Sequence, residues 1–190
     1  MLIHNNINYY LFLNNLNEIN FKNINIFKNL SIIYQFNSSN YDNITNIITI
    51  KNFCRKKKIS FFLINNFKLA IKYNADGVFL SSSYKKIVNF HLKKKNFKII
   101  GSAHNQFEFY LKKKQLCNMI MLSPLFYNKK YSVNKVLNIC KFKLKSINWG
   151  NNICALGGIN LQTIKKTRNL KIKGLGFTSN FFYKKKPTCI

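Results

Sequence analysis

Short apolar runs recur along the chain, and most are followed by a stretch in which apolar residues return at helical spacing. Residues 9–13 (YYLFL), 30–34 (LSIIY), 60–64 (SFFLI), 77–80 (GVFL), 97–101 (FKIIG), 118–122 (NMIML), 152–156 (NICAL) and 174–177 (GLGF) read as eight strands. Runs this apolar suit strands covered on both faces, as in a parallel sheet. Helical spacing predicts segments 42–58, 67–73, 84–95, 105–115, 132–146 and 160–170. The first of these carries Ile44, Ile47, Ile48, Ile50 and Phe53, with Asp42 at the end where an acid suits the helix dipole. Asn105 and Asn160 are placed to cap the helices they precede. The first connection, 14–29, has the poorest helical pattern. Alternating strands and helices imply a parallel sheet with covered faces, and eight units predict a closed (β/α)₈ TIM barrel of the α/β class.

Length agrees with one domain spanning 1–190 and ending in a basic tail over 181–190. At 190 residues such a barrel is compact, just under the usual lower size of about 200. Hydrophobic residues make up 47%, enough for a core, which excludes wholesale disorder. Cys54, Cys117, Cys140, Cys154 and Cys189 are odd in number and form no CxxC pair. That pattern points to a reducing, cytoplasmic setting rather than a disulfide framework or a zinc site. No basic segment precedes an apolar stretch at the start, and no apolar run reaches the ~18 residues of a membrane span. Neither a signal peptide nor a membrane anchor is therefore expected.

The net charge of +28 comes from 32 Lys or Arg against 4 Asp or Glu. Such an excess ordinarily suggests nucleic acid. Here the abundant residues are Asn, Lys, Ile, Phe and Tyr, whose codons are rich in A and T, and the only arginines are Arg55 and Arg168. An AT-rich genome yields this profile in any protein, so the charge says little about partners. The lysine triplets 56–58, 93–95 and 112–114 fall at predicted helix ends, where cations gain ~0.3–1 kcal/mol from the dipole. In a barrel those turns lie opposite the active face, so the triplets read as solvated.

Four segments at predicted C-terminal strand ends carry candidate chemistry. Ala155-Leu156-Gly157-Gly158-Ile159-Asn160 runs from a strand through paired glycines into a predicted helix, where free amides can meet an anion. Thr178 and Ser179, at the end of the last strand, can complete the same phosphate cup. Gly101-Ser102-Ala103-His104-Asn105 places a hydroxyl and an imidazole at a strand end, readable equally as a helix-capping turn. Asn65 and Asn66 end the third strand, where tandem carboxamides can bind a heterocycle; the nearby Asp76 turn reads as structural.

In order and spacing, these segments resemble the thiamine phosphate synthase family and its thiazole tautomerase relatives. The family runs LIIND, GADGVHLGQ, GxSxH, GPxFPTxTK, IGGI and GVxxxS; this chain reads FLINN, NADGVFLSS, IGSAH, SPLFYNKKY, LGGI and GLGFTS over residues 60–180. The resemblance implies a (β/α)₈ barrel that joins a hydroxymethylpyrimidine diphosphate to a thiazole phosphate through a pyrimidine cation, releasing pyrophosphate. It implies that Gly157, Gly158, Thr178 and Ser179 hold the thiazole phosphate. It further implies substrate contacts from Gln35, Asn65, Ser102, Lys129 and Lys130, the two lysines gripping the diphosphate. Magnesium is the implied cofactor.

The chain departs from the family at the metal. The Asp of LIIND, a magnesium ligand, is Asn66, and no acid lies near Ser81-Ser82-Ser83-Tyr84 where the second carboxylate belongs. A neutral carboxamide is a poor ligand for a hard cation. The stretch after strand two reads Gln35-Phe36-Asn37 in place of basic residues, and Pro124 stands where a tautomerase would place its catalytic His. Three readings stay open: a thiamine phosphate synthase that binds its metal mostly through substrate oxygens, a family member that binds a phosphorylated ligand or is tautomerase-like without the synthase reaction, and a basic nucleic-acid-associated protein.

Overall fold

The structure, a computed structural model, describes residues 7–14, 27–36, 42–87, 96–128, 132–150 and 152–182. Eight parallel strands close a barrel in chain order: β1 (Asn8–Leu13), β2 (Leu30–Tyr34), β3 (Ser60–Ile64), β4 (Gly77–Leu80), β5 (Lys98–Ala103), β6 (Met119–Leu122), β7 (Ile153–Leu156) and β8 (Gly174–Thr178). The seam is a five-residue ladder from Asn8↔Gly174 to Phe12↔Thr178. All eight strands fall where the apolar runs place them.

Each strand alternates between two apolar layers. Tyr10, Ile33, Phe62, Phe79, Ile100, Met121 and Cys154 fill the barrel, with Phe12, Ile64, Met119 and Leu156 packed against them. Their neighbours, among them Leu11, Ile32, Phe61, Val78 and Leu175, face the covering segments. An interior this rich in aromatic rings leaves no volume on β8. A Cβ at Gly176 would lie 2.8 Å from Leu156 and 3.1 Å from Phe12, and one at Gly174 would lie 2.9 Å from Tyr10. Burial pushes the Cys154 thiol up to about 12 and holds the Tyr10 phenol far above its ordinary range, so both stay neutral.

Polar side chains brace the N-terminal strand ends. Asp76 Oδ2 accepts from the Phe61 amide at 2.8 Å, and Asn118 Oδ1 accepts from the Ile99 amide at 2.7 Å. Asp76 is thus a brace between β3 and β4, as its turn suggested.

The covering helices follow the pattern less closely. Helix α1 (Asp42–Lys57) stops one residue short of the predicted end, with Lys58 left-handed at φ 54°. Helix α2 is Phe67–Lys72 and α3 is Gln106–Lys114, capped by Asn105, whose Oδ1 accepts from the Glu108 amide. The helix predicted over 132–146 begins later: a 3₁₀ turn (Val133–Lys135) precedes α4 (Asn138–Trp149). Of the segment 84–95, residues 84–87 form no helix and the rest lie outside the described residues. The helix predicted over 160–170 is replaced by turns and a 3₁₀ segment (Ile164–Thr167). There the Thr163 hydroxyl donates to the Gly158 carbonyl and the Thr167 hydroxyl to the Ile164 carbonyl, local bonds that compete with an α-helix. Asn160 caps that turn rather than a helix, its Oδ1 accepting from the Gln162 and Thr163 amides.

Phe181 is 1% exposed and packs on Phe177 and Phe27, so 181 belongs to the core and not to a solvated tail. Lys112 departs further from expectation. It belongs to a triplet expected to be solvated, yet it is completely buried, while Lys113 and Lys114 are exposed. The triplet 93–95 lies outside the described residues. Among the described residues no helix is long and apolar enough to cross a membrane.

Candidate functional site

The C-terminal strand ends form one face, and the sequence-selected residues that are described fall on it. In an eight-strand barrel β3 and β4 stand across the mouth from β7 and β8. The mouth therefore has two opposed rims, floored by the apolar layer to which Phe12, Ile64 and Leu156 belong.

The first rim is cross-linked by side chains. Asn65 follows β3 with φ 53°, a left-handed conformation that asparagine tolerates. Its Nδ2 donates to Ser81 Oγ and its Oδ1 accepts from the Ser81 amide, both at 2.9 Å, while its own amide donates to the Phe79 carbonyl. Ser81 Oγ lies 2.9 Å from Ser83 Oγ. Asn65 thus ties the end of β3 to the loop after β4. Ser81 and Ser83 were noted in the sequence only as a stretch without acids; no local pattern announces their pairing with Asn65. Asn66 Oδ1 accepts from the Leu69 amide at 3.0 Å, capping α2.

These residues do not fit a magnesium ion. The Asn66 carboxamide oxygen is engaged in the cap, and among the described residues no group of three His, Cys, Asp or Glu side chains comes together. Asp76 braces the opposite end of the barrel, and Glu108 Oε2 accepts from the His104 amide at 2.6 Å.

The second rim is made of backbone. Gly157 and Gly158 turn out of β7 with φ 95° and 68°. A Cβ on Gly158 would sit 2.5 Å from the Phe126 carbonyl oxygen, and one on Gly157 would sit 2.9 Å from Pro124. Both glycines are thus required by the close approach of the segment after β6, which enters through a cis Ser123–Pro124 bond. That segment extends the sheet: the Leu125 amide donates to the Leu156 carbonyl and the Phe126 amide to the Gly157 carbonyl. Among the described residues, neither the Gly157 nor the Gly158 amide donates to a backbone carbonyl outside the strand ladders. The ladder ends at Leu156↔Gly176, so the glycines leave β7 beside the end of β8. Thr178 is exposed and Ser179 half-buried. Turns rather than an α-helix follow the glycines, so the expected helix N-terminus is absent and loop amides take its place.

Between the rims, Ser102 follows Ile100 and Gly101 on β5, and alternation turns it towards the mouth; it is 6% exposed. His104 is a strap, its Nδ1 2.8 Å from the Ser123 carbonyl oxygen across β5 and β6. Gln35 is exposed at the end of β2, its amide donating to the Leu13 carbonyl. Lys129 and Lys130 lie outside the described residues.

A family model described as thiamine monophosphate synthase matches residues 33–181. The thiamine-phosphate synthase of Flavobacterium johnsoniae is 34% identical over 133 residues, covering 66% of this chain and 63% of that protein. The thiamine-phosphate synthase of Flavobacterium psychrophilum is 30% identical over 149 residues, covering 74% and 72%. This chain thus spans under two thirds of the length of the first relative. Among solved structures, a thiamine phosphate pyrophosphorylase from Pyrococcus furiosus superposes with a TM-score of 0.70 at 16% identity, covering 92% of this chain and 87% of that one. A KDPG aldolase from Legionella pneumophila gives 0.60 at 12% identity, covering 92% and 83%. At such identities the structural likeness shows the barrel alone.

Proposed function

From the thiamine monophosphate synthase family, to which this chain belongs, we propose that it joins a hydroxymethylpyrimidine diphosphate to a thiazole phosphate, forming thiamine phosphate and releasing pyrophosphate. The observation that carries this reading is the pair of opposed rims on one barrel mouth, each built from residues the family motifs select. The thiazole phosphate rests on the Gly157 and Gly158 amides and the Thr178 and Ser179 hydroxyls. The pyrimidine lies towards Asn65, Ser102 and Gln35, with Lys129 and Lys130 supplying charge to the diphosphate. Between them, the apolar floor with Phe12, Ile64 and Leu156 keeps water from the carbon that loses its diphosphate. Pre-set amide and hydroxyl dipoles hold both anions without reorganising when that bond breaks. No step is assigned to magnesium, because the described residues do not fit it. The free Cys54, Cys117, Cys140 and Cys154 support a reducing, cytoplasmic setting.

The engagement of Asn66 as a helix cap favours a second reading. In it the barrel binds a phosphorylated ligand and has given up the condensation. One assay separates the two: purified protein with both substrates, with and without magnesium, read for thiamine phosphate. Turnover establishes the transferase. No product at high enzyme concentration, with phosphate ester still bound, establishes the second reading. Neither product nor phosphate binding, with tight and salt-steep RNA binding, would return the charge to first place.

A further inference from the structure

Lys112 is the one completely buried cation among the described residues. It lies on the inner face of α3, against the outer side of β5. Gly101 makes the slot: a Cβ there would lie 2.8 Å from Lys112 Cδ, 3.0 Å from its Cγ and 2.8 Å from Cys117 Sγ. Burying an ammonium is costly, and an apolar side chain of the same length would fill the slot without that cost. Burial holds the Lys112 pKa below its ordinary value, while Cys117 and Glu108 pull it upward.

The ammonium is aimed at a distant piece of chain. Lys112 Nζ donates to the Tyr84 carbonyl and to Gln115 Oε1, both at 2.9 Å. Gln115 Nε2 donates in turn to the Tyr84 carbonyl at 3.0 Å and the Lys86 carbonyl at 2.9 Å. Lys112 of α3 and Gln115 at its C-cap thus hold the irregular backbone that follows β4. The path continues to the first rim. The Tyr84 amide donates to the Ser81 carbonyl at 3.0 Å, the Ser81 amide donates to Asn65 Oδ1, and Asn65 Nδ2 donates to Ser81 Oγ. The Tyr84 ring also packs near Phe67, the first residue of α2.

We propose that Lys112, together with Gln115, is a positioning residue for the pyrimidine side of the site: from behind β5 it fixes the loop after β4, and through Ser81 it fixes Asn65. This rests on the synthase reading given above. No part of the path reaches the second rim, so the effect is confined to one substrate.

The experiment compares the wild-type chain with Lys112→Met, Gln115→Leu and Ser81→Ala in steady-state kinetics, with thermal midpoints measured in parallel. Lys112→Met is expected to raise KM for the pyrimidine diphosphate roughly tenfold, the scale of one lost charge-assisted hydrogen bond. KM for the thiazole phosphate should stay within about twofold, and the midpoint should change little, because the loss of a buried charge offsets the loss of the donor to Gln115 Oε1. Ser81→Ala should give the same one-sided rise, and Lys112→Met combined with Ser81→Ala should be no worse than the poorer single variant. A lowered midpoint with both KM values unchanged, or both raised equally, makes Lys112 merely structural and overturns the proposal. Should Lys112→Met fail to fold, Gln115→Leu and Ser81→Ala carry the same comparison, and additive effects in their double variant overturn it. A wild-type chain that neither turns over nor binds the pyrimidine diphosphate overturns the synthase reading and this proposal together. Turnover with an unaltered KM in every variant overturns only the proposal.

Discussion

The β3–β4 rim and the β7–β8 rim face each other across one barrel mouth, yet they are built from different material. On the first, the side chains of Asn65 and Ser81 are engaged with each other and Asn66 Oδ1 with backbone, and among the described residues no group of three metal-ligating side chains comes together. On the second, the offered groups are loop amides and two hydroxyls, set in place by a sheet extension from the segment after β6. A binding site made of side chains changes with each codon. A site made of amides persists as long as the glycines and the register do. In this chain the β7–β8 rim presents the Gly157 and Gly158 backbone, and the β3–β4 rim presents carboxamides and hydroxyls bonded to one another and to backbone.

The largest test of this contrast is Gly158→Ala. At φ 68°, with the Phe126 carbonyl 2.5 Å from the new Cβ, it forces the two loops apart. A loss of about 2–4 kcal/mol is expected, together with loss of phosphate binding, read by denaturant unfolding and by calorimetry with inorganic phosphate. For the same reason Gly158→Asp, a change one would choose from the sequence alone, damages the fold as well as the cup. A cleaner probe is Ser179→Asp. The side chain is half-buried at the mouth, so a carboxylate there should weaken phosphate binding by at least about tenfold through like-charge repulsion, with the midpoint nearly unchanged. Unaltered phosphate affinity in this variant would place the cup elsewhere.

On the opposite rim, Asn66→Ala should cost about 1 kcal/mol, the worth of a helix cap, and leave phosphate binding untouched. Asn66→Asp should leave stability within roughly 0.5 kcal/mol, because aspartate caps as well as asparagine does. It should also create no tight magnesium site by itself, since one carboxylate does not make a coordination sphere. Magnesium titration of that variant by calorimetry checks it, and strong binding would show that the rim still holds the remaining ligands.

The strands were legible because burial on both faces leaves an unbroken apolar run, a pattern that survives compositional drift. The covering segments were not, since their conformation is set by partners remote in sequence. The segment 84–95 carries helical spacing, but the Tyr84 and Lys86 carbonyls are taken by Lys112 and Gln115, nearly thirty residues away. Residues 160–170 carry it too, but the Thr167 hydroxyl takes the Ile164 carbonyl and the Thr163 hydroxyl ties the segment back to the Gly158 carbonyl. At the site, the identities of Asn65, Gly157 and Ser179 could be read, but their attachments could not. Nothing near Asn65 says that Ser81 claims its amide, and nothing in a lysine triplet says that its first member points inward.

The seam between β1 and β8 has a consequence for how the chain is made. Its two strands are far apart in the chain, the Asn8 carboxamide reaching the Lys173 carbonyl 165 residues away, so the barrel cannot close until β8 has been made. Until then one edge of β1 has open amides and carbonyls, beside the rings of Tyr9 and Tyr10. Every nascent chain passes through a stage in which a sticky, half-made sheet waits for its last strand.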